Sequence, residues 1–160
     1  MGTQADKLTA MVDYPDRYDI PFEELQAVQV EAMNERFQER KDAIKLLRHR
    51  AEEAGIDDIR SREDAAKLLF PHTAYKSYPE SFLMDERWDR LSKWLDTVSS
   101  HRVPPIGKDD VSSVDGWIDK LTESGHYVSC SSGTTGKSAM LVASARDMDW
   151  CRKEAPLAYT

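Results

Sequence analysis

A chain of 160 residues can close one core that buries about two thirds of its unfolded surface, so a single domain or a large part of one is expected. The formal net charge is −7, with 22 Lys and Arg mixed among 29 Asp and Glu and no basic stripe, which argues against a general nucleic-acid binder. No apolar run approaches the ~18 residues of a spanning helix, the N-terminus lacks the apolar core of a secretory signal, and two cysteines, Cys130 and Cys151, are too few for a disulfide framework or a zinc site.

Those exclusions leave a cytoplasmic protein without nucleic-acid or membrane partners as the expectation. In chain order, residues 1–21 read as a polar lead-in. Pro21 suits a first helical turn, Glu23 and Glu24 favour its positive end, and Gly55 offers a C-terminal stop. Between them Leu25, Val28, Met33, Phe37, Ile44, Leu47, Ala51 and Ala54 recur at roughly helical spacing, which predicts one long helix or two.

"SREDAAKLLFP" predicts a short helix capped by Ser61, with Asp64 as the acid of a capping box and Pro71 closing it. "DERWDRLSKWLDTV" predicts another, in which Trp88, Leu91, Leu95 and Val98 share a face with Trp94 at its edge, the tryptophans serving as packing anchors. "VPPIGKDD" reads as a turn or linker, after which Ser113 or Ser112 caps "VDGWIDKLTE" and Gly125 ends it. These segments form a helical region over residues 22–125.

The period then changes to two. "HYVSC" and "AMLVAS" predict strands on either side of a polar loop, and Ser144 with Asp147 opens a last helix carrying Trp150. Residues 126–160 therefore read as strand, loop, strand and helix. The fold class expected is α+β and helix-rich, with the hairpin carrying the chemistry.

The loop's six residues, Ser131, Ser132, Gly133, Thr134, Thr135 and Gly136, combine hydroxyl donors with two positions free of a Cβ, and Lys137 follows. Glycine permits close backbone approach, so successive N–H groups can converge on phosphate oxygens while hydroxyls and an ammonium add to the grip. The same residue types also make ordinary polar turns, so composition alone leaves a plain hairpin turn as an equal reading. The nucleotide-binding pattern G-x-x-x-x-G-K-[ST] is matched only in its second half, because Ser131 stands where its first glycine belongs. That pattern must also lead into a helix, whereas Ala139, Met140, Leu141 and Val142 suggest a strand.

Residue order goes further than composition. "SSGTTGK" resembles the phosphate-loop signature of the adenylate-forming superfamily, which includes acyl-CoA ligases, nonribosomal-peptide adenylation domains and luciferases. Its phenylacetate-CoA ligase-like branch is the most similar, with Lys137 on that branch's lysine and "EEAGIDDIRSREDAAKLLFP" similar to an upstream phrase. The resemblance covers roughly residues 22–160. Ser138 departs from the usual proline, and "PHTAYKSYPESFL" departs from the usual continuation, although Lys76 lies near a common lysine.

The resemblance implies the N-terminal part of an adenylation domain and carboxylate activation by ATP and Mg²⁺. An acyl-adenylate forms with loss of pyrophosphate and then passes to a thiol such as coenzyme A. Ser131, Ser132, Thr134 and Thr135 would donate hydroxyl bonds to the phosphates, Gly133 and Gly136 would admit backbone N–H groups, and Lys137 would balance charge on the departing pyrophosphate. None of these is a nucleophile or a base, and no metal ligands are assigned to the protein.

The family's adenine-packing motif, ribose-binding aspartate and catalytic lysine lie downstream of this loop. The chain is accordingly expected to be an N-terminal portion, inactive alone, whose partners are ATP, a carboxylic acid and a complementary C-terminal piece. A helical protein-interaction module or split subunit without catalysis of its own, and a phosphate-loop nucleotidase, are the competing readings. His49, His72, His101, His126 and Cys130 read as solvated or packing residues, since none has an evident chemical partner.

Overall fold

A computed structural model of the chain describes residues 3–132 and 137–154. The protein is α+β and helix-rich, with eight α-helices and one two-stranded antiparallel sheet among the described residues. It divides into two compact units, Met1–Leu69 and Phe70–Thr160.

The first unit is helical. Its lead-in holds a helix that apolar periodicity does not announce, α1 (Gln4–Met11), nucleated by a complete capping box in which Thr3 and Asp6 bond each other's backbone. It packs on α2 (Phe22–Arg40), where the Gln4 N–H donates to Glu35 Oε2 at 2.6 Å. Of the one or two helices expected before Gly55 there are two, α2 and α3 (Lys45–Ala54), separated by turns at residues 41–43. Gly55 ends α3 in the left-handed region at φ 65°, where its N–H closes onto the last carbonyls.

Helix α4 (Arg62–Leu68) starts at Ser61, whose hydroxyl accepts from the Asp64 N–H at 3.1 Å. The Asp64 carboxylate reaches back one residue further than a capping box requires, to the Arg60 N–H at 3.1 Å. Phe37, Ala51, Ile56, Ile59 and Leu68 close this unit's core. Burying each of the four larger side chains, Phe37, Ile56, Ile59 and Leu68, contributes about 1.5–3 kcal/mol, which offsets the weak intrinsic stability of short helices.

The second unit begins with a 3-10 turn (Ala74–Lys76) and a one-turn helix α5 (Ser81–Met84), neither of which leaves a periodic trace. Helix α6 (Trp88–Leu95) follows, and Trp88, Leu91 and Leu95 are buried as their spacing predicts. The stretch expected to be a linker is irregular yet inserts Val103 and Ile106 into the core. Ser113 caps α7 (Val114–Glu123), accepting from the Gly116 N–H at 3.1 Å, and Gly125 turns the chain at φ 81°.

The hairpin then forms. Strand β1 (His126–Cys130) pairs with β2 (Met140–Ser144) in the register His126 with Ser144, Val128 with Val142 and Cys130 with Met140. Val128, Met140 and Val142 alternate onto one face and pack on the core of Tyr78, Leu91, Leu95, Trp117 and Leu121. Ser144 and Asp147 exchange bonds at the start of α8 (Ala145–Glu154), which packs against both strands.

Candidate phosphate-binding hairpin

The loop between β1 and β2 begins where the ladder ends. The Ser131 N–H donates to the Ala139 carbonyl at 3.0 Å, and the Ser131 hydroxyl accepts from the Ala139 N–H at 2.9 Å. Its mouth is therefore clamped by backbone and side chain of one serine. Ser131 and Ser132 are exposed, and the Ser131 hydroxyl, although it accepts from Ala139, keeps its own proton to donate. Gly133, Thr134, Thr135 and Gly136, assigned to phosphate from their order, lie outside the described residues.

Lys137 is half-buried at the far root of the loop. Its ammonium donates to the backbone carbonyl of Tyr78 and sits 4.7 Å from the centroid of the same residue's ring. Both partners are neutral, and the ion pairs among the described residues leave Lys137 without a carboxylate. An ammonium has three donors, so one carbonyl bond leaves it with donors and an undiminished charge.

Tyr78 grips this root a further time. Its hydroxyl donates to the Ser138 carbonyl at 2.8 Å, so the residue after Lys137 is anchored as well. Tyr78 precedes Pro79, and a residue before proline is driven from the helical region. It cannot prolong the 3-10 turn before it, and its carbonyl is left for Lys137. Trp94 meets the Tyr78 ring edge-on at 4.8 Å and 66°, and its indole N–H donates to Ser77 Oγ at 2.9 Å. Ser77 in turn donates to Ala74 at 2.8 Å, which ties the segment to its own turn.

Burial, with smaller pushes from Cys130 and Glu80, raises the Tyr78 phenol above its ordinary value, so it stays a protonated donor at neutral pH. Burial also raises the Cys130 thiol, with Asp115 adding to it. An elevated thiol is a poor nucleophile, but Cys130 lies exposed at the end of β1 and is not the buried packing residue expected from the sequence. His126 is buried, its Nδ1 3.2 Å from Ser124 Oγ, and its Nε2 has no hydrogen-bond partner among the described residues. His49 is exposed beside Glu53, as its place among charged helix positions predicts.

Of the residues singled out in the sequence, the structure thus places Ser131, Ser132 and Lys137 around one hairpin. What the sequence reading missed is Tyr78 with Trp94. Trp94 was expected only as a packing anchor at the edge of its helix, and Tyr78 sits in a segment whose only local sign is the Tyr-Pro step, with its partners far along the chain.

The segment after Lys137 leads into a strand rather than a helix, which removes the geometry that a G-x-x-x-x-G-K-[ST] loop requires. Among the described residues no group of three or more His, Cys, Asp or Glu gathers as a metal site would, and no helix is long and apolar enough to cross a membrane. No protein-family model matches the chain, and no curated protein or solved structure matches it.

Proposed function

We propose that this hairpin grips the phosphates of ATP in a cytoplasmic, carboxylate-activating protein of the acyl-CoA ligase kind. The observation that carries the reading is Lys137, a half-buried cation whose bonding partners are a carbonyl and a ring. Among the described residues this partly buried charge has no carboxylate partner, and a phosphate chain would supply a counter-ion. Ser131 and Ser132, both exposed, lie on the same loop. The order of "SSGTTGK" points to the same chemistry through its resemblance to adenylate-forming enzymes.

On this reading the chain positions and neutralises the leaving pyrophosphate. Mg²⁺ arrives on the triphosphate, and sequence elsewhere supplies the adenine pocket, the carboxylate site and the acceptor thiol's site. A single hairpin with one lysine should hold triphosphate near millimolar, about 4 kcal/mol of binding. The base should matter little.

Titration of ATP, GTP, triphosphate and adenosine followed by amide NMR tests this. Shifts at Ser131, Ser132 and Lys137 with the three phosphates and none with adenosine are expected, and Lys137→Ala should abolish them without loss of helix. Silence at those amides with every phosphate would reduce the hairpin to a polar turn.

A second reading, a helical interaction module, is favoured by Tyr18 and Phe22, exposed by 72% and 57% in the first unit. Sedimentation velocity tests it, because Tyr18→Asp and Phe22→Asp should then abolish self-association or binding to a complementary C-terminal piece.

A further inference from the structure

We infer that Tyr78 is a positioning residue for anion binding, holding the Lys137 ammonium at the root of the hairpin in the place where a phosphate chain meets it. The inference rests on the phosphate-binding reading above and adds a residue to it. Three contacts carry it, two from Tyr78 to Lys137 and one to the next residue, Ser138. The carbonyl accepts from Lys137 Nζ, the ring face lies 4.7 Å from that ammonium, and the hydroxyl donates to the Ser138 carbonyl at 2.8 Å.

A lysine left to itself samples many rotamers, and fixing it on an anion costs side-chain entropy at the moment of binding. Here that ordering is met in advance. The contacts are of the kind that fix a cation without cancelling it, since neither a carbonyl nor a quadrupole carries net charge. A carboxylate at the same place would order Lys137 equally well and neutralise it. The burial of Tyr78 and the edge contact from Trp94 keep the platform itself from moving.

The wild-type chain gives the first measurement. The Lys137 methylene next to the ammonium, which lies over the Tyr78 ring, should resonate upfield of its coil position and stay there at saturating triphosphate. A return to coil positions while the Ser131 and Ser132 amides shift would mean that the lysine leaves Tyr78 to bind, which overturns the inference but leaves phosphate binding intact. No amide shift at all would remove both.

Tyr78→Phe gives the second. It keeps the ring and the carbonyl and loses the bond to Ser138. Triphosphate affinity should fall about fivefold, the worth of one hydrogen bond, with that Lys137 methylene moving toward its coil value. Hydrogen exchange at Leu91, Leu95 and Leu121 should be unchanged. Wild-type affinity in this variant, or weaker binding with the Lys137 resonances in place, would overturn the positioning role.

Discussion

The indole N–H of Trp117 donates to the hydroxyl of Ser92 at 2.9 Å, between two residues almost wholly sealed from solvent. The bond joins α7 to α6 in the middle of the second unit's core. Ser92→Ala strands a buried donor and should destabilise the protein by about 1–3 kcal/mol. Urea unfolding followed by tryptophan fluorescence measures it. A change below about 0.5 kcal/mol, the range of surface substitutions, would show that the donor finds another partner.

Two left-handed residues make opposite expectations. Gly55 sits at φ 65° with nothing within 4 Å of an added Cβ, so Gly55→Ala has only a backbone cost, about 1 kcal/mol. Glu86 adopts φ 53° just after α5, where the Arg87 N–H reaches the Phe82 carbonyl at 2.7 Å in the six-to-one bond of a glycine-type helix end. Glu86→Gly should therefore stabilise by up to about 1 kcal/mol. Thermal unfolding of both variants compares the signs directly.

Acid should be felt at Asp64. The bond from the Arg60 N–H, ahead of a smaller opposing desolvation, holds its carboxyl below the ordinary value, with Ser61 and Lys67 helping. A lowered folded-state pKa contributes stability that is present above the unfolded aspartate's pKa and is lost as pH falls through the folded one. Asp64→Asn should flatten that acid limb, read by urea midpoints through the range below about pH 4. Equal slopes in the two proteins would show the carboxylate to be the same folded and unfolded.

Cys130 should alkylate slowly at neutral pH despite its exposed position, because burial of the sulfur and the Asp115 carboxylate both disfavour the thiolate. The iodoacetamide rate, followed by mass spectrometry, should still be climbing past the ordinary thiol pKa of about 8.5, where an unperturbed thiol begins to level off. Asp115→Asn should move the rise to lower pH. A rate already maximal near pH 7 would contradict the thiol's environment.

Most of the regular structure could be read from local chemistry. Ser61 and Ser113 announce helix starts, Gly55 and Gly125 announce ends, and the switch from helical to twofold spacing at His126 announces the hairpin. Helix α1 had its sign too, Thr3 and Asp6, but without an apolar stripe behind it. Val103 and Ile106 were hidden for a different reason. Irregular backbone has no period, so the direction of its side chains is decided by the core they meet. Ser131, Ser132 and Lys137 could be placed at the hairpin from the sequence, whereas the groups that contact Lys137 could not, since no local rule pairs Tyr78 with a residue so distant in sequence.

The bond from Tyr78 to Ser138 spans a separation of 60 residues. Closing a loop of that size costs about 4 kcal/mol of chain entropy before any constant term. The strands themselves can pair within microseconds, but the root of their loop cannot settle until the helices between have shortened that path. The hairpin is therefore expected to mature in two stages, quick pairing and late docking. During synthesis, the Tyr78 hydroxyl would reach the Ser138 carbonyl only once the second unit has condensed, which makes that contact a report on the completion of folding.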